Sequence, residues 1–227
     1  MAKEDIAVIV AHPDDEVLAF GGVMCRHSER GDSVHLLIMA TGLAARGSVN
    51  TIESSDLARL RDDARSAARI LGVSQVTFGN FPDNRMDSVD LLDVIKQVEL
   101  FLYETKATMV YTHHFGDMNI DHTVVARAVL TACRPQPGAC VRRIYSGEVL
   151  SSSEYALAEH RFQPTSYINM DDYLERKCAA MECYRSELRA APHPRSCEAI
   201  VALARLRGSE CGLKSAEALR LLREVKL

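Results

Sequence analysis

The sequence predicts an α/β three-layer sandwich built on a mostly parallel sheet. Three observations point there. Short apolar runs rich in β-branched residues alternate over the first 130 residues with stretches of helical spacing. Those runs are continuous rather than alternating, as in strands covered on both faces. The intervals between them are long enough for helical crossovers, which join parallel neighbours.

Taken in order, residues 6–11 (Ile-Ala-Val-Ile-Val-Ala) form the first strand, and residues 17–30 a helix that stops at Gly31-Asp32. Residues 33–40 form a second strand with His35 inside it, followed by a loop from Thr41 to about Ser54. Residues 55–71 set Leu57, Leu60, Ala64, Ala67, Ala68 and Leu71 at helical spacing, between a Ser cap and Gly72. A strand over 73–78 comes next. The helix predicted over 88–103 buries a stripe of Val89, Leu92, Val94, Ile95, Val98 and Phe101. A fourth strand, 108–112, leads to a helix over 120–132. Strand and helix repeated at this spacing give right-handed crossovers, and the core is therefore Rossmann-like.

Beyond Cys133 the pattern changes. A turn-rich break at 134–138 precedes strands expected at 141–150 and 166–170 and a helix at 171–188. Helical patterns are expected at 198–207 and 216–225. With no internal repeat, low-complexity segment or long linker, the chain reads as one domain over 1–227. Its core spans about 1–133, and a C-terminal elaboration of extra strands and helices spans about 134–227.

Composition narrows the function. The 227 residues carry 27 Lys and Arg against 31 Asp and Glu, a net charge of −4. That balance argues against a sequence-independent nucleic-acid binder or an anionic-membrane binder, both of which need a basic surface. No apolar stretch approaches the roughly 20 residues of a membrane span, and no signal-peptide core opens the chain. Seven scattered cysteines without a C-x-x-C pair suit reduced, mostly buried thiols, so a cytoplasmic location is expected.

Ligands of an open α/β sheet bind at the carboxyl ends of its strands. Two segments there are dense in imidazole and carboxylate: His12-Pro13-Asp14-Asp15-Glu16 after the first strand, and His113 to His122 after the fourth. Alone, Pro-Asp-Asp-Glu would read as a helix start favoured by the macrodipole. Two such clusters at equivalent strand ends point instead to a shared divalent cation. His12, Asp15 and His122 would give zinc three protein ligands and leave a fourth position for water, as in catalytic sites. Asp14 is then the carboxylate placed to take a proton from that water. An N/O ligand set accepts other first-row metals too.

These residues resemble a known family. Ala11 to Glu16 followed by Gly21-Gly22, with Asp117 to His122, resembles the two metal-binding motifs of the LmbE-like, or PIG-L, metal-dependent N-deacetylases. The helix from Arg59 to Val73 and the loop Phe81-Pro82-Asp83-Asn84-Arg85-Met86 extend the likeness. Pro192 to Ser196, Arg207-Gly208 and Ala216-Glu217-Ala218 are similar to a subgroup acting on bacterial surface sugars. The resemblance implies His12, Asp15 and His122 as metal ligands, Asp14 as base, and hydrolysis of an N-acetyl group from an amino sugar, free or linked to a nucleotide, lipid or glycan. Many members carry His-Pro-Asp-His in the second motif; Asn119 stands at the first His here. An Asn can donate to an oxyanion but cannot serve as an acid, so His114 or His113 is expected to supply the protonated imidazole.

Arg46, Arg61, Asp83 and Arg85 follow strand ends and are candidates for sugar or phosphate contacts. His193 and Arg195 lie in a Pro-rich stretch placed to close over the site. Two other readings stay open: an amidase on a thiol-sugar conjugate, and a metal-free α/β ligand-binding domain. The sequence leaves open whether the chain forms a homo-oligomer.

Overall fold

The computed structural model describes residues 3–41 and 54–226. It contains one seven-stranded sheet formed by β1 (Asp5–Val10), β2 (Ser33–Ala40), β3 (Gln75–Phe81), β4 (Met109–His113), β5 (Arg143–Gly147), β6 (Ser166–Asn169) and β7 (Ala216–Glu224). The strand order is β3-β2-β1-β4-β5-β7-β6. The first five strands pair in parallel, while β7 runs antiparallel to both β5 and β6. The predicted α/β sandwich with a mostly parallel sheet is the observed fold.

Among the described residues, six α-helices cover the sheet: α1 (Asp15–Glu29), α2 (Ser54–Leu71), α3 (Leu91–Thr105), α4 (Ile120–Ala132), α5 (Leu174–Cys183) and α6 (Cys197–Ser209). Strand β1 shows why both faces need cover. Ile6, Val8 and Val10 pack into the core beneath α1, α2 and α5, while Ala7 and Ile9 pack into the core beneath α3 and α4. All five side chains are fully buried, and period-two alternation sends successive residues to opposite faces.

The order places the site. From β1 the chain winds outward through β2 and β3, then crosses back to β4 on the other side of β1. This is a topological switch point. Helix α1 leaves β1 toward one face, helix α4 leaves β4 toward the other, and a crevice opens between their loops.

Gly21 and Gly22 lie within α1, where glycine weakens a helix. A Cβ on Gly22 would fall 1.7 Å from Met170 Sδ, and one on Gly21 would fall 2.9 Å from Lys177 Cγ. The two glycines let the C-terminal elaboration seat directly on α1.

Several boundaries move. The helix expected over 88–103 is α3, preceded by a 3-10 turn at Met86–Ser88; the Asp90 side chain caps it by accepting from the Leu92 amide. The helix expected over 171–188 is confined to Leu174–Cys183, and the strand expected over 141–150 to Arg143–Gly147. One element is of the wrong type: the segment expected as a helix over 216–225 holds a strand, Ala216–Glu224. Ala-Glu-Ala-Leu-Arg-Leu-Leu-Arg has strong helical propensity, but propensity is a weak prior. The open edge of β5 pairs with Leu219 to Glu224 and β6 pairs with Ala216 to Leu219, and Ala216, Ala218 and Leu219 are buried there.

All seven cysteines are free thiols, as expected, but only Cys25 and Cys133 are buried; Cys140 and Cys211 are exposed. Among the described residues, no helix is long and apolar enough to cross a membrane.

Candidate metal centre

The crevice holds the first cluster at the end of β1. Asp14 caps α1 in the left-handed region, with φ 102°, a conformation that costs a non-glycine residue about 1–3 kcal/mol. Its surroundings hold it there. Glu16 Oε2 accepts the Asp14 amide at 3.1 Å, and Glu16 Oε1 accepts the Tyr184 hydroxyl at 2.5 Å. The Asp14 and Asp15 side chains are thereby turned to different neighbours.

His12 stands between two groups of carboxylates. Its Nδ1 lies 3.2 Å from Asp15 Oδ2, and its Nε2 lies 2.9 Å from Asp121 Oδ2 and 3.2 Å from Asp83 Oδ1. His122, in the first turn of α4, brings Nε2 to 3.1 Å from Asp15 Oδ2 and Nδ1 to 3.3 Å from Asp117 Oδ1. Asp117 is fixed by the hydroxyls of Ser152, at 3.0 Å, and Ser153. His113 stacks on His122 with ring centroids 3.9 Å apart, and its Nε2 accepts the Ala11 amide at 2.8 Å.

The electrostatics follow from dry packing. Burial alone would depress His12 and His122. The carboxylates of Asp121 and Asp15 around His12 outweigh this and raise it to about 10; Asp15 and Asp117 raise His122 to about 9. Burial would raise Asp15, but His122 and His12 hold it well below the usual carboxylate range. The cluster therefore calls for positive charge. Burial raises Asp14 to about 7; Arg195 opposes the rise, and Asp15 and Glu16 add to it. Burial and the neighbouring His122 push His113 down to about 3, which keeps it a neutral imidazole.

Among the described residues, two groups have ligand atoms close enough to hold one ion: His12 with Asp15 and His122, and His12 with Asp83 and Asp121. The first fits better. Among the described residues, His122 Nε2 is buried without a hydrogen-bond partner, leaving a lone pair available. Asp121 is already committed, since its oxygens accept the amides of Asn84 at 2.7 Å and Met86 at 2.9 Å. With an ion on the first set, His12 would donate Nε2–H to Asp121 and His122 would donate Nδ1–H to Asp117 or Ser152. Ligating histidines are commonly held by an outer carboxylate in this way.

The remaining predicted residues divide. Arg195 reaches in from the C-terminal elaboration: Nη1 lies 3.4 Å from Asp14 Oδ2 and 2.9 Å from Glu187 Oε2, and Nε donates to Ser151 at 2.9 Å. Asp83 sits inside the cluster, with Oδ1 3.2 Å from His12 Nε2. Asn119 caps α4: its Oδ1 accepts the Asp121 and His122 amides, and its Nδ2 donates to Asn84 at 3.2 Å. His114 is buried, donating Nε2–H to the His160 carbonyl at 2.7 Å and packing against Phe115 and Phe162. Arg61 bonds Asn80 and lies over the Phe78 ring. Arg85 and His193 are exposed. Arg46 lies outside the described residues.

Sequence reasoning missed Asp121, Asp117 and the Glu16–Tyr184 pair. Asp121 and Asp117 stood in a segment already marked as rich in acids, but nothing in their spacing shows which face of the loop each takes.

A strand-end crevice holding imidazoles, carboxylates and an isolated acid defines a class of α/β protein, and sequence comparison gives it a family. Residues 7–133 match the model of PIG-L, described as GlcNAc-PI de-N-acetylase. The chain belongs to this family. It is similar to the uncharacterized deacetylase YaiS of Escherichia coli strain K12, with 31% identity over 140 residues, 60% of this chain and 71% of that protein. It is also similar to the 4-oxalmesaconate hydratase of Pseudomonas putida, at 25% identity over 200 residues, 80% of this chain and 73% of that one. Among solved structures, the N,N'-diacetylchitobiose deacetylase of Pyrococcus horikoshii shares the fold, with a TM-score of 0.78 at 17% identity, over 97% of this chain and 84% of that one.

Proposed function

We propose that this chain is a metal-dependent hydrolase that removes an N-acetyl group from an amino sugar, with zinc as the working metal. One observation carries the reading. Ligand atoms of His12, Asp15 and His122, from two distant loops, lie within 4.8 Å of one another, with the buried Asp14 carboxyl at the next position. Family membership and the deacetylases among the relatives support it.

His12, Asp15 and His122 would hold the ion. When bound, zinc polarises a carbonyl oxygen and acidifies water. Asp14 Oδ2 accepts no hydrogen bond among the described residues, so it is available to take a proton from the attacking water. The water oxygen bonds to the amide carbon, the carbon–nitrogen bond breaks, and Asp14 returns the proton to the departing nitrogen, giving acetate and a free amine. Arg195 keeps the charged Asp14 aligned, while Asp121 and Asp117 fix the two imidazoles. His113 is held neutral as a packing partner, and His114 is tied to the His160 carbonyl, so neither is offered as the acid.

The test pairs metal analysis of the purified protein with a free-amine assay on N-acetylglucosamine derivatives. Stoichiometric metal and metal-dependent amine release are expected; a metal-loaded protein that frees no amine from any of them would end this reading. The likeness to a hydratase gives a second reading, water addition to a carbon–carbon double bond by the same proton carrier. Loss of the absorbance of a conjugated dicarboxylic acid, without amine release, would favour it.

A further inference from the structure

Asp14 is reached twice from a single turn. Helix α5 ends at Cys183, and in the turn that follows the Glu187 amide donates to the Tyr184 carbonyl at 2.9 Å. Both residues are buried, and each meets Asp14 through a different partner. The Tyr184 route runs to the backbone. Its hydroxyl donates to Glu16 Oε1 at 2.5 Å, and Glu16 Oε2 accepts the Asp14 amide at 3.1 Å. A left-handed φ on a non-glycine residue persists only where its surroundings over-determine it, and the tethered Glu16 carboxylate is one such restraint. Without the hydroxyl, that carboxylate could turn away from the Asp14 peptide.

The Glu187 route runs to the carboxylate. Arg195 Nη1 donates to Glu187 Oε2 at 2.9 Å, the length of a charge-assisted hydrogen bond, and Arg195 Nε donates to Ser151 Oγ at 2.9 Å. The same Nη1 stands 3.4 Å from Asp14 Oδ2, beyond ordinary hydrogen-bond length. Two carboxylates share one guanidinium nitrogen, and the nearer one sets its place. Asp14 Oδ2 is thereby left without a hydrogen bond among the described residues. Glu187 keeps Arg195 close enough to steady a charge on Asp14 and too far to occupy the oxygen that must take a proton.

Resting on the deacetylase reading above, we propose that Tyr184 and Glu187 are positioning residues for Asp14: Tyr184 fixes its backbone through Glu16, and Glu187 restrains Arg195 from closing on its carboxylate. The imidazoles of His12 and His122 are steadied by Asp121 and Asp117 instead. The two positioning residues should therefore act on turnover and leave metal affinity alone.

The test uses the zinc-loaded full chain and the N-acetylglucosamine derivative from which it releases amine fastest. Tyr184→Phe removes one oxygen and keeps the ring; Glu187→Gln keeps the size and removes the charge. Each should lower kcat on the order of 10-fold, as coupled members of one hydrogen-bond network do, with KM and zinc affinity unchanged. A double-variant cycle separates this from general loosening of the fold. On an Arg195→Ala background Glu187→Gln should cost nothing further, because no guanidinium is left to restrain, while Tyr184→Phe should still cost its full factor. Crystal structures of the variants read position without turnover. Asp14 should leave the left-handed region in Tyr184→Phe, and Arg195 should close to hydrogen-bond length on Asp14 Oδ2 in Glu187→Gln. Where Tyr184→Phe fails to fold, Glu187→Gln and its double variant decide. An unchanged kcat, a zinc affinity that falls in step with kcat, a Glu187→Gln loss that persists without Arg195, or an Asp14 and Arg195 that stay in place would each overturn the proposal. Displacement in the variants of a protein that releases no amine keeps the positioning and sinks the deacetylase reading; amine release indifferent to both variants does the reverse.

Discussion

Asp121→Asn should weaken metal binding without removing a ligand. Asp121 is fully buried and accepts three hydrogen bonds, from His12 at 2.9 Å, the Asn84 amide at 2.7 Å and the Met86 amide at 2.9 Å. Asparagine keeps the shape but turns one acceptor into a donor. Facing its amide group toward His12 would set a donor against both His12 Nε2–H and the Asn84 N–H, which share Oδ2; facing it the other way would strand the Met86 N–H. Loss of an outer partner to a metal-ligating histidine typically costs about 10- to 100-fold in metal affinity, or roughly 1.4–2.8 kcal/mol at 1.4 kcal/mol per tenfold. A stranded backbone donor would cost a further 1–3 kcal/mol or so of stability. Competition for zinc against a chelating fluorophore reads the first effect, and thermal melting of the metal-free protein reads the second. An unchanged zinc affinity beside a lowered melting temperature would refute the reasoning, making Asp121 a loop clasp for Asn84 and Met86 with no hold on His12.

Other outcomes follow from the same geometry. Asp14→Asn should retain metal but lose at least the roughly 10²-fold that a general base contributes; near-normal turnover would remove Asp14 from the chemistry. Arg195→Ala should shift the acid limb of kcat/KM to higher pH. The guanidinium lowers the Asp14 pKa, so without it the carboxyl holds its proton to higher pH and the basic form is lost sooner as pH falls; an unmoved limb would argue against the contact. Lys177→Met should be costly, because Lys177 Nζ lies 2.6 Å from Glu217 Oε1 with both side chains buried, and it also donates to the Leu18 carbonyl. Removing one partner of such a pair costs about 3–5 kcal/mol, a drop in melting temperature of roughly 6–20 °C for a chain of this size. A shift under 3 °C in differential scanning calorimetry would contradict it.

Local signals carried most of the core. The β-branched run at 6–11, the capped periodic stretch at 55–71 and the helix at 120–132 each state their own structure, because strand and helix periods differ and the residues that need burial repeat at one or the other. The candidate cluster was legible for a related reason. A His and several acids at a strand end are unfavourable together without a cation, so the pattern pointed to one.

What the sequence by itself determined was the α/β sandwich and the chemical character of its two strand-end loops. Tertiary structure decided the rest. It made Ala216–Glu224 a strand, since pairing with β5 and β6 outweighed helical propensity. It brought Arg195 to Asp14, 181 positions apart in the chain, turned Asp121 toward His12, and gave Asn119 to the cap of α4. Each of these depends on where separate segments meet in space, and a distance across the fold is not written in the spacing of residues along the chain.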